Sequence, residues 1–155
     1  MGKENLNSEF RRCVERGKII TFRKGPSLVV KELNSAADDL LASKDSFEKG
    51  GYKWATIQAY YSMFHTARGL IYAKKYREKS HYCLVIALEH LYVERGVLDK
   101  VFIESLTMGK DMRESADYRS SFSEEGAHNL IKAAQDFLNI AKKLVKSRLS
   151  RPQEH

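Results

Sequence analysis

Ala59-Tyr60-Tyr61-Ser62-Met63-Phe64-His65-Thr66-Ala67-Arg68-Gly69-Leu70-Ile71 packs aromatics, a histidine and an arginine into one strongly helical stretch. At 100° per residue, Ile57, Tyr60, Tyr61, Met63, Phe64, Ala67, Leu70 and Ile71 cover roughly 200° of the helix circumference, whereas a surface helix needs a stripe of only about 100°. A helix this broadly apolar touches several neighbours, so it forms the centre of a bundle.

The rest of that helix carries Gln58, Ser62, Thr66 and Gly69, small or neutral side chains rather than solvated charges. Such a stripe admits close approach, either by a second copy across a dimer interface or by another helix of the same chain. One edge mixes chemistries. Tyr61, His65, Arg68 and Tyr72 follow steps of i+4, i+3 and i+4 and form a ladder. An arginine at the margin of an apolar face must reach water or find a carboxylate. The plainest reading is a structural network, with Arg68 paired to a carboxylate on a neighbouring helix; the alternative is a polar binding edge.

Further helices follow on both sides. Residues 7–22 place Phe10, Cys13, Val14 and Gly17 at helical spacing, and Arg23-Lys24-Gly25 reads as a turn. Pro26 suits a first helical position, because its missing N–H bonds nothing there anyway. Leu28, Val29, Leu33, Ala36, Ala37, Leu40, Leu41 and Phe47 then recur with a period near 3.6, until Gly50-Gly51 stops the helix. The central helix spans about residues 52–75. Ser80 caps a fourth helix carrying Leu84, Val85, Leu88, Leu91 and Tyr92 and stopping at Gly96. A fifth begins near Leu98 and carries Val101, Phe102, Leu106, Met108 and Met112. Ser121-Phe122-Ser123-Glu124 fits a capping box, with Ser121 and Glu124 satisfying each other's free N–H groups. The last helix follows, with Ala127, Leu130, Ile131, Ala134, Phe137, Leu138, Ala141, Leu144 and Val145 on one stripe. No alternating strand pattern interrupts the series. The expected fold is all-α, a mostly up-and-down antiparallel bundle of five to six helices. Residues 1–25 form a basic N-terminal segment with a short helix, residues 26–148 the bundle, and residues 149–155 a disordered tail.

Net charge is +7, from 27 basic and 20 acidic residues, and the excess gathers at the two ends. A basic surface attracts nucleic acid and also keeps a protein soluble. Cys13 and Cys83 match no metal spacing and no CxxC pattern, which points to free thiols in a reducing, cytoplasmic setting. The N-terminus lacks the apolar core of a signal peptide, and no run approaches the roughly 20 apolar residues of a membrane span. The sequence holds no P-loop, no GxGxxG and no HExxH, so no cofactor is implied. His81, His90 and His128 fall on different helices and read as surface or locally satisfied residues. Arg113-Glu114-Ser115-Ala116-Asp117-Tyr118 places Arg113 and Asp117 at i,i+4, where they can pair, with Tyr118 at the helix end.

Three blocks in this order, Ala59-Tyr60-Tyr61-Ser62-Met63-Phe64-His65-Thr66-Ala67-Arg68, then Lys79-Ser80-His81, then Arg113-Glu114-Ser115-Ala116-Asp117-Tyr118, resemble the HEPN domain family. The likeness is greatest to its small stand-alone prokaryotic members, and covers roughly residues 27–145. It implies a five- or six-helix bundle that usually forms a homodimer. It also implies a minimal nucleotidyltransferase as partner in a toxin–antitoxin pair. Some HEPN domains are metal-independent ribonucleases, with an arginine followed after four to six residues by a histidine. Arginine there holds phosphate and histidine moves protons. This chain departs from that motif: after Arg113, Tyr118 stands where the shortest spacing would put the histidine.

Two functional expectations follow. In the first, the bundle binds nucleotide, RNA or a nucleotidyltransferase, with Tyr61, His65, Arg68, Arg113, Asp117 and Tyr118 lining the groove. In the second, it is an RNA endonuclease toxin using Arg113 with Tyr118 or His65 as a replacement proton carrier. A third reading is purely structural, with the cluster locking helix three against helix five.

Overall fold

A computed structural model describes the backbone of residues 3–149 and the side chains of residues 6–146. In chain order the elements are α1 (Lys3–Glu15), β1 (Ile19–Thr21), α2 (Gly25–Glu48), α3 (Tyr52–Ala73), β2 (Tyr76–Glu78), α4 (His81–Leu88), α5 (Lys100–Tyr118) and α6 (Glu124–Leu149). The fold is a mostly helical bundle, with one small antiparallel sheet. The tail expected at 149–155 lies outside the described residues, apart from Leu149, which closes α6.

α3 sits at the centre and contacts α2, α4, α5, α6 and β2. The wide apolar arc accounts for this: Met63, Leu70 and Ile71 have no exposed surface, and they meet Leu84, Leu88, Leu106, Phe137 and Leu138 from the surrounding helices. Burying a side chain of this size stabilises the fold by roughly 1.5–3 kcal/mol.

α2 and α3 run antiparallel in a register that their contacts record. Ser43 Oγ donates to the Ala55 carbonyl at 2.6 Å and Ser62 Oγ to the Ala36 carbonyl at 2.8 Å. A Cβ on Gly69 would come within 3.1 Å of Leu33, and one on Gly25 would run into the Tyr72 carbonyl. Ser62 and Thr66 are fully buried. The small-residue stripe is therefore covered by a helix of the same chain, and offers no face to a second copy. α5 and α6 pair in the same sense through Phe102 stacked on Phe137 at 5.6 Å, and through Gly109, where a Cβ would approach Leu130 to 3.2 Å.

Four local expectations are corrected. The first helix does not run through residues 7–22. It ends at Glu15, because Gly17 turns the chain at φ +70°, and Ile19-Ile20-Thr21 then extends as a strand. β-branched side chains favour that extended form. β1 pairs with β2 in antiparallel register, Ile19 opposite Glu78 and Thr21 opposite Tyr76. Three-residue strands are too short to show alternation, so the sequence pattern misses them. The cap of α6 is Ser123, whose Oγ accepts from Gly126 N–H at 2.9 Å, so the Ser121–Glu124 box does not form. The Ser121 N–H is used elsewhere, bonding back to the Ser115 carbonyl at the end of α5. Finally, Cys13 and Cys83 are not free thiols. They form a disulfide tying α1 to the first turn of α4. Ser80 does cap α4, its Oγ accepting from Cys83 N–H.

Beyond α4 the chain continues through a wider helical turn at Glu89–Val93. That turn brings His90 into a stack on Phe10 of α1 at 4.3 Å. α1 is thus held by the disulfide, by the Phe10–His90 stack and by Tyr82 donating to Glu9 at 3.0 Å.

Candidate functional site

The edge of α3 divides into two environments. Toward α2, His65 is enclosed by carboxylates: Nδ1 lies 2.7 Å from Glu32 Oε2 and Nε2 lies 3.6 Å from Asp39 Oδ2. Burial pushes the Asp39 carboxyl up, partly offset by His65 and reinforced by Asp38. Both imidazole nitrogens face partners inside the protein, so His65 is a structural bridge between helices.

Arg68 is satisfied as well, but not by a neighbouring helix. Its Nε donates to Glu78 Oε1 at 3.0 Å and its Nη2 to Oε2 at 3.3 Å. Glu78 stands on β2 and is only 5% exposed, so the unforeseen strand supplies the partner. Burial alone would lower the Arg68 pKa; the hydrogen bond and charge of Glu78 outweigh it and raise it. The guanidinium also lies over Phe64 at 4.6 Å and near Tyr72 at 6.0 Å. A paired guanidinium stacked on rings adds a cation–π contact of roughly 0.5–1 kcal/mol.

Toward α5 the situation differs. The Arg113 guanidinium lies 5.6 Å from the ring centres of both Tyr60 and Tyr61. Its Nη1 is 3.9 Å from Asp117 Oδ2, at the limit of an ion pair, and its buried Nε has no hydrogen-bond partner. Burial is the main cause that drives the Tyr60 hydroxyl up to about 12, against the pull of the Arg113 charge, so it keeps its proton at neutral pH. Tyr61 is 38% exposed and presents its ring to solvent.

His81 completes this cluster and was not among the residues expected to act. Ser80 caps α4, which makes His81 the first helical residue and places its ring 6.2 Å from Tyr60. Its Nε2 is buried and has no hydrogen-bond partner. The charges of Lys110, Asp111, Arg113 and Glu114 on α5 all act on it, yet burial dominates and lowers its pKa. The Lys79-Ser80-His81 block was the one available signal, since it names the histidine without saying that it packs near Tyr60.

The expected site residues thus separate. Tyr61, Arg113 and Asp117 are brought together. Arg68 joins them through the row Tyr60–Phe64–Arg68, because the Tyr60 and Phe64 rings stack at 6.3 Å. His65 turns away to α2. Tyr118 is 75% exposed at the end of α5. Among the described residues, no group of three His, Cys, Asp or Glu side chains is placed to hold a metal ion. No helix among them is long and apolar enough to cross a membrane.

The model of the HEPN domain matches residues 30–144. The chain belongs to the HEPN domain family. Two proteins of Methanocaldococcus jannaschii carrying the name "Putative toxin" are similar to it. One is 30% identical over 112 residues, covering 72% of this chain and 84% of the relative. The other is 27% identical over 120 residues, covering 76% and 82%. A UPF0332 protein of Archaeoglobus fulgidus is 30% identical over 105 residues, covering 66% of this chain and 83% of its own length. The match begins inside α2, so α1 and β1 lie outside the shared HEPN region.

Proposed function

We propose that this HEPN protein is a toxin-type module that binds single-stranded RNA along the Arg113–Tyr60–Tyr61–Phe64–Arg68 row. The observation that carries the reading is Arg113, a guanidinium laid across two tyrosine rings with a buried Nε that no protein group satisfies. A guanidinium in that state suits a phosphate oxygen, and an exposed ring beside it suits a base. The relatives' name supports the toxin half. The basic surplus of the chain supports the nucleic-acid half. Asp117 borders the Arg113 end, and Tyr118 extends the rim.

A toxin requires a neutralising partner, and the family likeness points to a minimal nucleotidyltransferase and to a homodimer. Any dimer must use a face other than the small-residue stripe of α3, which α2 covers. The reading places the protein in the cytoplasm, where its RNA would be. The disulfide is compatible with a reducing compartment because both cysteines are nearly inaccessible, at 2% and 4% exposure.

The test is a fluorescence-anisotropy titration of labelled oligouridylate with the full chain at two salt concentrations. Binding is expected at low salt and weakens at high salt. Arg113→Ala is expected to weaken it at least tenfold and to flatten the salt slope by roughly 0.7, the loss of one phosphate contact to a single strand. Absence of binding at low salt removes the RNA reading.

A further inference from the structure

A second basic surface lies on the β1–β2 ribbon. Residues 16–24 and 74–79, which contain the two strands, hold eight lysines and arginines against one carboxylate, Glu78. Glu78 is buried and taken up by Arg68, so it offsets no charge at the surface. Seven of the eight cations are exposed, and among the described residues none of the seven is in an ion pair. The eighth, Lys74, lies over the Tyr92 ring at 5.3 Å. Like charges gathered without carboxylates repel one another, so the patch suits an anion supplied from outside.

The strand register decides which side chains point outward. Ile19 stands opposite Glu78, and both are buried, so that pair forms the inner face. Ile20 and Arg77 are the next pair and therefore lie on the outer face, because side chains alternate along a strand. Lys18 and Lys79 follow on the same face, with Lys79 N–H donating to the Lys18 carbonyl at 2.9 Å. The Arg77 guanidinium lies 5.6 Å from the Phe22 ring, which places Phe22 on this face too. Phe22 N–H donates to the Lys75 carbonyl at 2.7 Å, and exposed Arg23 and Lys24 continue the charge beyond it. From the Lys18–Lys79 end to the Phe22–Lys75 end the ribbon runs about 14 Å, at ~3.4 Å per residue. The HEPN match begins at residue 30, after β1, so a strand outside the shared region completes this face.

We propose that the outer face of the β1–β2 ribbon docks on the phosphate backbone of duplex DNA. The surface stands on residues other than the RNA row of α3 and α5 and goes beyond that reading. None of the exposed large hydrophobic side chains lies on residues 16–24 or 74–79. The ribbon therefore offers no free ring on which an unpaired base could stack, and no apolar side chain to enter a membrane. What it offers is charge in a line. Duplex DNA displays one phosphate per ~1.7 Å of axis counting both strands, roughly eight over the length of the ribbon. An extended acidic peptide carries at most one carboxylate per ~3.4 Å, about half that density. Shape selects between duplexes: the major groove of B-form DNA admits a two-stranded ribbon, whereas that of A-form RNA is deep and narrow. Contacts to phosphates alone position the protein without reading sequence.

The experiment titrates the full chain against a labelled mixed-sequence DNA duplex of about two helical turns, with an RNA duplex and a single DNA strand of the same sequence as rivals. The DNA duplex is expected to bind tightest, with little dependence on its sequence and a logarithmic salt slope of at least about −2.7, three phosphate contacts. Arg77→Glu with Lys79→Glu is expected to weaken duplex binding at least tenfold and to leave oligouridylate binding within threefold. Lys142→Glu with Lys143→Glu makes the same charge change on exposed positions of α6 and is expected to stay within threefold for the duplex. Arg113→Ala is expected to leave duplex binding unchanged, so the two surfaces fail or hold separately. No duplex binding at low salt overturns the proposal. So does tighter binding of the RNA duplex or the single strand, or equal loss in the ribbon and α6 variants, which would reduce the effect to net charge. The ribbon side chains are exposed and unpaired, so that variant is expected to fold, as circular dichroism checks; should it not, the salt slope and the order of the three nucleic acids still decide.

Discussion

The two flanks of α3 treat charge in opposite ways. Against α2 and β2, the α3 edge residues meet carboxylates at close range: His65 with Glu32 at 2.7 Å, Arg68 with Glu78 at 3.0 Å. Against α5, Arg113 meets tyrosine rings and reaches its only carboxylate at 3.9 Å. Buried charge is tolerated only when paired and hydrogen-bonded, and the first flank obeys that rule. The second leaves two buried polar atoms, Arg113 Nε and His81 Nε2, without a hydrogen-bond partner among the described residues. The closed flank is organised by ion pairs and the open flank, where the proposed function sits, by aromatic rings, although both display arginine, histidine and tyrosine in the sequence.

The largest expected effect concerns the α1 clamp, which fixes α4 and so the His81 end of the open flank. The disulfide closes a loop across a sequence separation of 70 residues. In the chain-entropy account a loop of that length is worth about 4 kcal/mol, by restricting the unfolded chain. Cys13→Ser with Cys83→Ser is expected to lower the free energy of urea unfolding by about that amount at unchanged pH. An unchanged midpoint would show that the disulfide contributes nothing to the bundle's stability and that the Phe10–His90 stack and the Tyr82–Glu9 bond hold α1 without it.

Next in size is the closed flank itself. Arg68→Met leaves Glu78 charged and 5% exposed with no partner, which costs about 3 kcal/mol, near the low end for a broken buried pair. Adding Glu78→Leu is expected to regain most of the loss, since replacing both partners with apolar groups is often nearly neutral. Chemical denaturation of the two variants separates these outcomes. If Arg68→Met unfolds like the unaltered protein, the pair is not structural and the contrast between flanks fails.

These differences also explain what could be read from the sequence. α2, α3 and α6 are long and periodic, so their apolar stripes declare them. Ser80 declares the start of α4 through its local cap. The Arg68 partner was hidden because Glu78 arrives on a three-residue strand paired with Ile19, a contact across 59 positions that no local pattern encodes. His65 and Arg68 look equivalent on a helical wheel, yet one turns to α2 and the other to β2. His81 and Arg113 come near the same Tyr60 ring only through the packing of α4 and α5. They lie 32 positions apart on different helices, which is why the open flank was half legible: its arginine and Tyr61 were named, and its histidine was not.

The smallest expected effect tests the contrast most directly, by removing a carboxylate from the open flank. Asp117 is 40% exposed and stands 3.9 Å from Arg113 as an i,i+4 neighbour. Exposed pairs of this kind contribute a few tenths of a kcal/mol, so Asp117→Ala is expected to leave thermal stability almost unchanged. Its effect on binding has the opposite sign. On the proposed RNA reading the carboxylate would compete with phosphate for the Arg113 guanidinium and repel the RNA backbone, so its removal is expected to tighten RNA binding about twofold at low salt, with less gain as salt screens the charge. On the closed flank the loss of one charged partner weakens the fold, whereas here it releases a donor. Weaker RNA binding by a folded Asp117→Ala protein would mean that Asp117 positions Arg113 rather than competing for it. The open flank would then be organised by a carboxylate after all, and the two sides of α3 would differ in distance but not in kind.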